Sequence, residues 1–199
     1  MMKIKIQYIL LILFCFSLGV SAQPKLKTVF NGKNLKGWTT ANENIWWTID
    51  AGILKGQSDS NEKGSILWTK KEYTNFVFET DFRFGEGTVD SGIFIRNDKQ
   101  QIQLGISGSL KRDMTASPYI AGKGYPVEAK NIKKLLKQKD WNTIKIQAKA
   151  GHYQVWLNDE FVMKYTSNSS IEKGPIGLQL HPNRNMAIDF RNIKIGKLK

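Results

Sequence analysis

Residues 90–126 read DSGIFIRNDKQQIQLGISGSLKRDMTASPYIAGKGYP, and the first half of this stretch predicts the fold. Ile102 and Leu104 alternate with Gln101 and Gln103. Because successive side chains of a β-strand point to opposite faces, the pattern puts the apolar pair on one face and both amides on the other. The preceding segment alternates in the same way over Ile93, Phe94, Ile95 and Arg96. The stretch therefore predicts two strands of a sheet with one packed and one solvated face.

The second half of this stretch, residues 105–126, predicts a long loop. It is rich in Gly, Ser, Lys and Arg, and it carries Asp113, Tyr119 and Tyr125 between strand-like flanks. Loops of this length inside a compact domain are usually either functional or disordered. The acidic and aromatic side chains favour a functional loop.

Short alternating segments recur on both sides of this stretch. Residues 76–84 place phenylalanines at even positions, and residues 141–149 alternate Ile144, Ile146 and Ala148 with polar side chains. About ten such strands follow one another at the spacing of a β-sandwich. Residues 127–139 form the one candidate helix. Because the chain shows no linker, low-complexity segment or internal repeat, we predict a single all-β antiparallel sandwich domain over residues 23–199.

The N-terminus carries the pattern of a secretory signal peptide over residues 1–22. Two lysines precede an apolar run at residues 8–20, and Val20-Ser21-Ala22 forms a small-residue cleavage site. The apolar run is too short to span a membrane. Cys15 lies inside this run after Phe14 rather than after a small residue, which argues against a lipoprotein anchor. We therefore expect a periplasmic or secreted protein with no membrane span once the signal is removed.

The net charge of +13 does not by itself indicate a partner. Lysines are scattered over turns and strand edges, and no basic helix or nucleic-acid-binding motif is present. Scattered lysines keep a protein soluble and protect sheet edges from aggregation. An export signal also makes nucleic acid an unexpected partner.

His181 is the candidate proton-transfer residue. In the segment GLQLH at residues 177–181, Leu178 and Leu180 face one way while Gln179 and His181 face the other. Imidazole is the side chain best suited to give and take a proton near neutral pH. The alternative is a surface histidine that caps the following turn. His152 lies at a hairpin tip and is interpreted as an ordinary turn residue.

Other polar and aromatic residues are candidates for binding. Arg96 can stabilise an oxyanion, or it can simply pair with a nearby aspartate. Gln101 and Gln103 can present amides to sugar hydroxyls, or they can be solvent-exposed. Aromatic rings suited to stacking on a sugar, or equally to core packing, are those of Trp68, Tyr119 and Tyr125.

Motifs for other chemistry are absent from the sequence. It has no phosphate-binding glycine loop, no Gly-x-Ser-x-Gly elbow and no histidine or cysteine cluster with metal-ligand spacing. Asp90, Asp98 and Asp113 are close in sequence and leave a carboxylate metal site open. The metal ligands, if any, therefore stay unassigned.

Taken together, the ordered motifs resemble the 3-keto-disaccharide hydrolase family. The similarity covers nearly the whole chain after the signal, and its specificity lies in the order of the motifs rather than in any one of them. The principal segments are FNGKNLKGW at 30–38, WTIDAGIL at 47–54, SGIFIR at 91–96, IGLQLH at 176–181 and FRNIKI at 190–195. The resemblance implies a sandwich of the concanavalin A-like lectin/glucanase type.

The resemblance also implies a substrate and a reaction. It implies cleavage of 3-keto glycosides, by hydrolysis or by elimination followed by hydration, with His181 as base or acid. Arg96 would stabilise the enolate, and a divalent cation is a possible cofactor in the same role. Gln101, Gln103 and Gln179 would bind hydroxyls, with Trp68 stacking on the sugar. Tyr119 and Lys123 would close over it from the loop.

Departures from the family pattern leave a second interpretation open. Asp90 stands where the family usually has Asn, and Gln101 stands where a Glu is frequent. The segment Ala116-Ser117-Pro118-Tyr119 also differs from the usual sequence. The alternative function is therefore a non-catalytic glycan-binding module on the same fold, and an ordinary glycosidase of related fold is a third reading.

Overall fold

The computed structural model describes residues 24–41 and 43–198. The predicted signal peptide lies outside these residues. Within them, no helix is both long and apolar enough to cross a membrane. The strands are β1 (Lys27–Thr28), β2 (Trp38–Thr39), β3 (Trp47–Asp50), β4 (Ile53–Gln57), β5 (Ser65–Thr69), β6 (Phe76–Gly87), β7 (Asp90–Ile95), β8 (Gln100–Gly105), β9 (Pro118–Ile120), β10 (Asn142–Lys149), β11 (His152–Leu157), β12 (Glu160–Thr166), β13 (Ile176–Leu180) and β14 (Met186–Lys197).

Two antiparallel sheets pack face to face, as the alternating pattern predicted. The eight-stranded sheet has the order β12-β11-β10-β6-β14-β4-β3, with β1 added beside β14. The six-stranded sheet has the order β2-β5-β13-β7-β8-β9. Because neighbouring strands pair antiparallel throughout both sheets, the prediction of an antiparallel β-sandwich is confirmed.

The core lies between the sheets and is built from the apolar half of each alternating segment. On β10, Ile144, Ile146 and Ala148 are fully buried. On β8, Ile102 and Leu104 are fully buried as well. Burial of side chains of this size stabilises the fold by roughly 1.5–3 kcal/mol each, so the alternation fixes which face of each strand turns inward.

Two predictions about the segments after β8 are wrong. Residues 105–126 are not loop throughout, because β9 pairs with β8 and an isolated bridge joins Ile106 to Asp113. Residues 127–139 contain only one helical turn, α1 (Ile132–Leu135), which buries none of its side chains. A segment with so few apolar positions cannot support a longer helix, because helix stability in proteins comes mainly from packing an apolar face.

Candidate active site

A cleft of about 310 Å³ lies on the face of the six-stranded sheet that points away from the core. Side chains from β7, β8, β9 and β13 line it, together with the loop after β8 and the turn after β13. The lining residues are Asp90, Phe94, Asp98, Gln101, Gln103, Ser107, Gly108, Ser109, Tyr119, Tyr125, Gln179, His181 and Arg184.

The cleft brings together most of the residues that the sequence analysis selected. Gln101, Gln103, Gln179, His181 and Tyr119 all line it. The register explains this grouping: Gln101 lies opposite both Phe94 on β7 and Tyr119 on β9, so one sheet face carries all three. Strand parity alone was therefore sufficient to place these side chains together.

Trp68 and Lys123 stand outside the lining of this cleft. Trp68 supports it indirectly, since its ring stacks on Phe94 with the ring centroids 5.6 Å apart. The Trp68 ring lies over Gly177, where a Cβ atom would come within 2.6 Å of the ring. Lys123 is exposed on the turn after β9, and its backbone N–H donates to the carbonyl of Ile120 at 2.9 Å.

The structure does not bring Arg96 to the cleft, and the prediction that it shares this face is wrong. Its side chain is only 2% exposed and runs toward the loops beside the other sheet. The strand ends at Ile95, and Arg96 adopts a left-handed backbone conformation with φ of 66°. Because side-chain alternation holds only while a strand continues, parity with Phe94 gave the wrong direction.

The Arg96 guanidinium is bound by backbone carbonyls and a hydroxyl. Nε donates to the carbonyl of Thr74 at 2.8 Å, and Nη1 donates to that of Ala150 at 2.7 Å. Nη1 also donates to Ser170 Oγ at 2.8 Å and to the carbonyl of Ile171 at 3.2 Å. Burial lowers the pKa of Arg96 from its usual value. These contacts join one end of the sandwich together, so Arg96 has a structural position.

The glutamines of the cleft are buried rather than solvent-exposed. Gln101 is 5% exposed and Gln103 is 1% exposed, because the loop carrying Ser107, Tyr119 and Tyr125 lies over this face. The alternative that they are plain surface residues is therefore wrong. Buried amides need hydrogen-bond partners, and here they find most of them in each other.

A hydrogen-bond chain fixes the orientation of two of these amides. Gln103 Nε2 donates to Asp90 Oδ1 at 2.8 Å, and Gln101 Nε2 donates to Gln103 Oε1 at 3.0 Å. Because an ionised carboxylate only accepts hydrogen bonds, Asp90 sets the direction of the whole chain. The chain ends at Gln101 Oε1, which is buried and has no hydrogen-bond partner within the described residues. Gln179 Oε1 is in the same condition.

Unpartnered buried acceptors are costly, typically by about 1–3 kcal/mol each. They are also what a polar ligand satisfies when its hydroxyl groups donate. The two amide oxygens of Gln101 and Gln179 therefore make this cleft a candidate site for a polyhydroxylated ligand.

Gly92 makes room for the Gln101 amide. A Cβ atom on Gly92 would lie 2.4 Å from Gln101 Oε1, while the backbone at Gly92 is in a region open to alanine. We expect Gly92→Ala to leave the melting temperature nearly unchanged, since a flexible side chain end can move, but to weaken sugar binding by roughly tenfold, about 1.4 kcal/mol. Calorimetric titration checks this. Unchanged affinity in a folded variant would contradict a binding role for the Gln101 amide.

His181 lies at the end of β13 with one ring nitrogen occupied. Its Nδ1 lies 2.6 Å from the carbonyl oxygen of Pro182. Because a carbonyl oxygen can only accept, Nδ1 carries the proton and Nε2 of the neutral ring keeps a free lone pair. A histidine held in this tautomer is suited to act as a base through Nε2. The structure therefore agrees with the turn contact considered in the sequence analysis, and it leaves the other nitrogen open for chemistry.

Arg184 is the cation of the cleft, and the sequence analysis missed it. Its Nε lies 3.5 Å from Asp90 Oδ2, and it lines the cleft beside His181. Arg184 belongs to the turn after β13, where alternation gives no direction. Its position three residues after His181 was the only available signal, and that signal was not specific.

Two tyrosines close the cleft on the side of the loop. The rings of Tyr119 and Tyr125 meet edge to face with their centroids 5.3 Å apart. Burial raises the pKa of Tyr125 to about 12, with the Ser107 hydroxyl acting against this effect and the Asp90 carboxylate reinforcing it. Tyr125 therefore stays protonated at neutral pH and keeps an O–H donor in the site.

The residues present do not form a metal site. The described residues contain no group of three or more His, Cys, Asp or Glu side chains placed to hold a metal ion. Asp90 is engaged by Gln103 and Arg184, and Asp98 lines the cleft, while Asp113 accepts a hydrogen bond from the backbone of Thr115. This donor set does not fit a divalent cation, so no step is assigned to one.

Comparison with known families gives a match over most of the chain. A model described as "3-keto-alpha-glucoside-1,2-lyase-like domain" matches residues 25–196. No protein with curated annotation matches the chain.

Solved structures similar to this chain include carbohydrate-related sandwiches. Two are described as "putative glycosyl hydrolase" from Parabacteroides distasonis ATCC 8503. One is 25% identical with a TM-score of 0.65, covering 87% of this chain and 100% of the other. The second is 21% identical with a TM-score of 0.66, covering 87% and 94%. The carbohydrate binding module CBM66 from Bacillus subtilis is 19% identical with a TM-score of 0.60, covering 81% and 96%. These similarities confirm the predicted concanavalin A-like fold.

Proposed function

Because the chain belongs to the 3-keto-α-glucoside-1,2-lyase-like family of carbohydrate-active sandwich domains, we propose that it cleaves 3-keto glycosides by elimination. The observation that carries the proposal is the free Nε2 of His181 in the cleft that also holds the two unpartnered amide oxygens. One group is suited to proton transfer, and the others are suited to holding a sugar.

The chemistry begins with the acidity of the C2 proton, which the neighbouring C3 ketone increases. His181 Nε2 takes this proton, and the electron pair moves onto the ketone oxygen as an enolate. The enolate then collapses, the C1–C2 double bond forms, and the bond from C1 to the leaving oxygen breaks. The leaving oxygen takes a proton from the His181 imidazolium. The products are an unsaturated 3-keto sugar and an alcohol, and addition of water to the double bond completes a net hydrolysis.

The enolate oxygen needs a positive or hydrogen-bonding partner, and Arg184 is proposed for this role. Its guanidinium lines the cleft and is only partly used by Asp90 at 3.5 Å. Preorganised donors of this kind typically contribute the largest share of stabilisation to developing negative charge. Arg184 thereby takes the role that the resemblance suggested for Arg96. Tyr125 supplies a further O–H donor at neutral pH.

The sugar hydroxyls are proposed to bind along the glutamine wall. Gln101 Oε1 and Gln179 Oε1 would accept from them, and the Asp90-directed chain keeps the Gln101 amide oriented for that purpose. The proposed setting is outside the cytoplasm, which rests on the signal peptide predicted at residues 1–22.

The direct test compares a 3-keto glucoside with the matching ordinary glucoside. We expect the protein to cleave only the keto compound and to release an unsaturated 3-keto sugar that mass spectrometry detects before hydration. Deuterium at C2 should be lost from the product and should slow turnover. Equal cleavage of the ordinary glucoside, or full retention of the C2 deuterium, would contradict elimination.

A non-catalytic glycan-binding module is the second candidate function. The observation that favours it is the same wall of buried, unpartnered amide oxygens, which can hold a sugar without any reaction. Similarity of fold to CBM66 is compatible with this role. Tight binding of both glucosides with no turnover of either would select it over the lyase.

A further inference from the structure

A second cavity of about 430 Å³ adjoins the cleft and is here called the end cavity. It lies among the loops at one end of the sandwich. Its lining residues are Glu62, Gly87, Thr88, Ile106, Ser107, Gly108, Lys111, Asn183, Arg184 and Asn185. Ser107, Gly108 and Arg184 line the cleft as well, so the two spaces share a wall.

The end cavity is preformed, because backbone hydrogen bonds join the loops around it. The N–H of Asn183 donates to the carbonyl of Glu62 at 2.7 Å, and the N–H of Thr88 donates to that of Asn185 at 3.1 Å. The N–H of Lys111 donates to the carbonyl of Ser107 at 2.8 Å. Each of these bonds closes or joins a different loop. The walls are thus fixed without the help of a ligand, as is usual for binding sites.

The lining of the end cavity is polar. Its side chains carry amide, hydroxyl, ammonium, guanidinium and carboxylate groups, and Ile106 is the one large apolar residue among those that line it. No aromatic ring belongs to this lining, in contrast to the cleft with its two tyrosines and Phe94. Such a surface suits a hydrophilic group with several hydroxyls and offers little to an aromatic one.

Arg184 stands at the boundary between the two spaces. A Cβ atom on Gly108 would lie 2.6 Å from Arg184 Nη2 and 2.8 Å from Asp90 Oδ2. Glycine at this position therefore lets the loop approach the Asp90–Arg184 pair closely. The guanidinium is held where it can face a ligand that extends from the cleft into the end cavity.

We propose that the end cavity binds the leaving group of the glycoside, and that this group is hydrophilic, a second sugar or a polyol. The assignment rests on the proposed elimination in the cleft. The keto sugar lies against the glutamines and His181, the bond from C1 to the leaving oxygen lies beside Arg184, and the leaving group occupies the space beyond it. Sugar hydroxyls then meet Lys111, Asn185 and Glu62.

The test uses the double variant Lys111→Ala/Asn185→Ala in the full chain. Only side chains are removed, since the hydrogen bonds that order these loops come from the backbone. We measure kcat/KM for a 3-keto disaccharide and for 3-keto methyl glucoside. The ratio of the two values should fall about tenfold in favour of the methyl compound, the loss expected from one or two hydrogen bonds. Lys164→Ala, an exposed lysine on β12 in the other sheet, should leave the ratio unchanged.

A second readout is independent of catalysis. Calorimetry with the ordinary, non-oxidised disaccharide and methyl glucoside measures binding when no elimination can follow. The wild-type protein should bind the disaccharide more tightly, and the double variant should lose that difference. Equal affinity of the wild type for both sugars, or a loss shared equally by both substrates, would overturn the assignment of the end cavity. Preferential binding with no turnover would overturn the elimination reaction instead.

Discussion

Replacing His181 by alanine is expected to lower kcat/KM on a 3-keto glucoside by about 10²–10⁴-fold, the usual contribution of a positioned base. The substitution removes the Nε2 lone pair that is proposed to take the C2 proton. It removes little else, because the side chain makes one hydrogen bond, to the adjacent carbonyl of Pro182. The fold should therefore persist, and the melting temperature should change little.

His152→Ala is the matched control. His152 is exposed on β11 of the opposite sheet, where its Nδ1 contacts Thr166 Oγ1 at 3.0 Å. This variant should retain wild-type turnover. Added imidazole should restore part of the activity of His181→Ala, because a free base can enter the space that the side chain leaves. Near-wild-type turnover by His181→Ala would refute the assignment of the base.

Replacing Arg96 by alanine is expected to lower the free energy of unfolding by about 3 kcal/mol or more. Three backbone carbonyls, those of Thr74, Ala150 and Ile171, would lose a charged donor. These acceptors belong to separate segments of one end of the sandwich. The loss therefore combines several broken hydrogen bonds with polar groups left unpaired in a buried place.

Urea unfolding followed by tryptophan fluorescence measures this effect. Arg96→Lys is the control variant, because it keeps the charge but cannot reach all the acceptors, and it should lose less stability than Arg96→Ala. The Lys variant should also keep most of its activity per folded molecule. An Arg96→Ala protein with wild-type stability and no turnover would return Arg96 to the catalytic machinery.

The departures from the family sequence pattern meet in a single feature of the structure. Asp90 replaces the usual Asn and Gln101 replaces the frequent Glu, and these two residues stand at opposite ends of the hydrogen-bond chain through Gln103. One carboxylate is present in the chain, and it lies at the Asp90 end beside Arg184. The residue at position 101 therefore presents an amide oxygen, which suits hydroxyl binding rather than proton transfer.

The sequence by itself determined the sandwich and most of the wall of the cleft. Alternation on β8 and β13 was enough to place Gln101, Gln103 and Gln179 on the face opposite the core, because a strand has a strict period of two. The same rule placed His181 directly after β13. Alternation could not reveal that the glutamines are buried, since that depends on a loop folding back over the sheet.

Tertiary structure alone decided the cation, the proton position and the second cavity. Arg96 leaves the cleft because its strand has ended, and Arg184 enters it from a turn whose direction depends on packing with Gly108 and Asp90. The free Nε2 of His181 follows from a carbonyl contact that no periodicity encodes. A regular strand repeats its geometry from residue to residue, so sequence predicts it. A turn takes its geometry from distant segments, and only the folded chain brings those segments together.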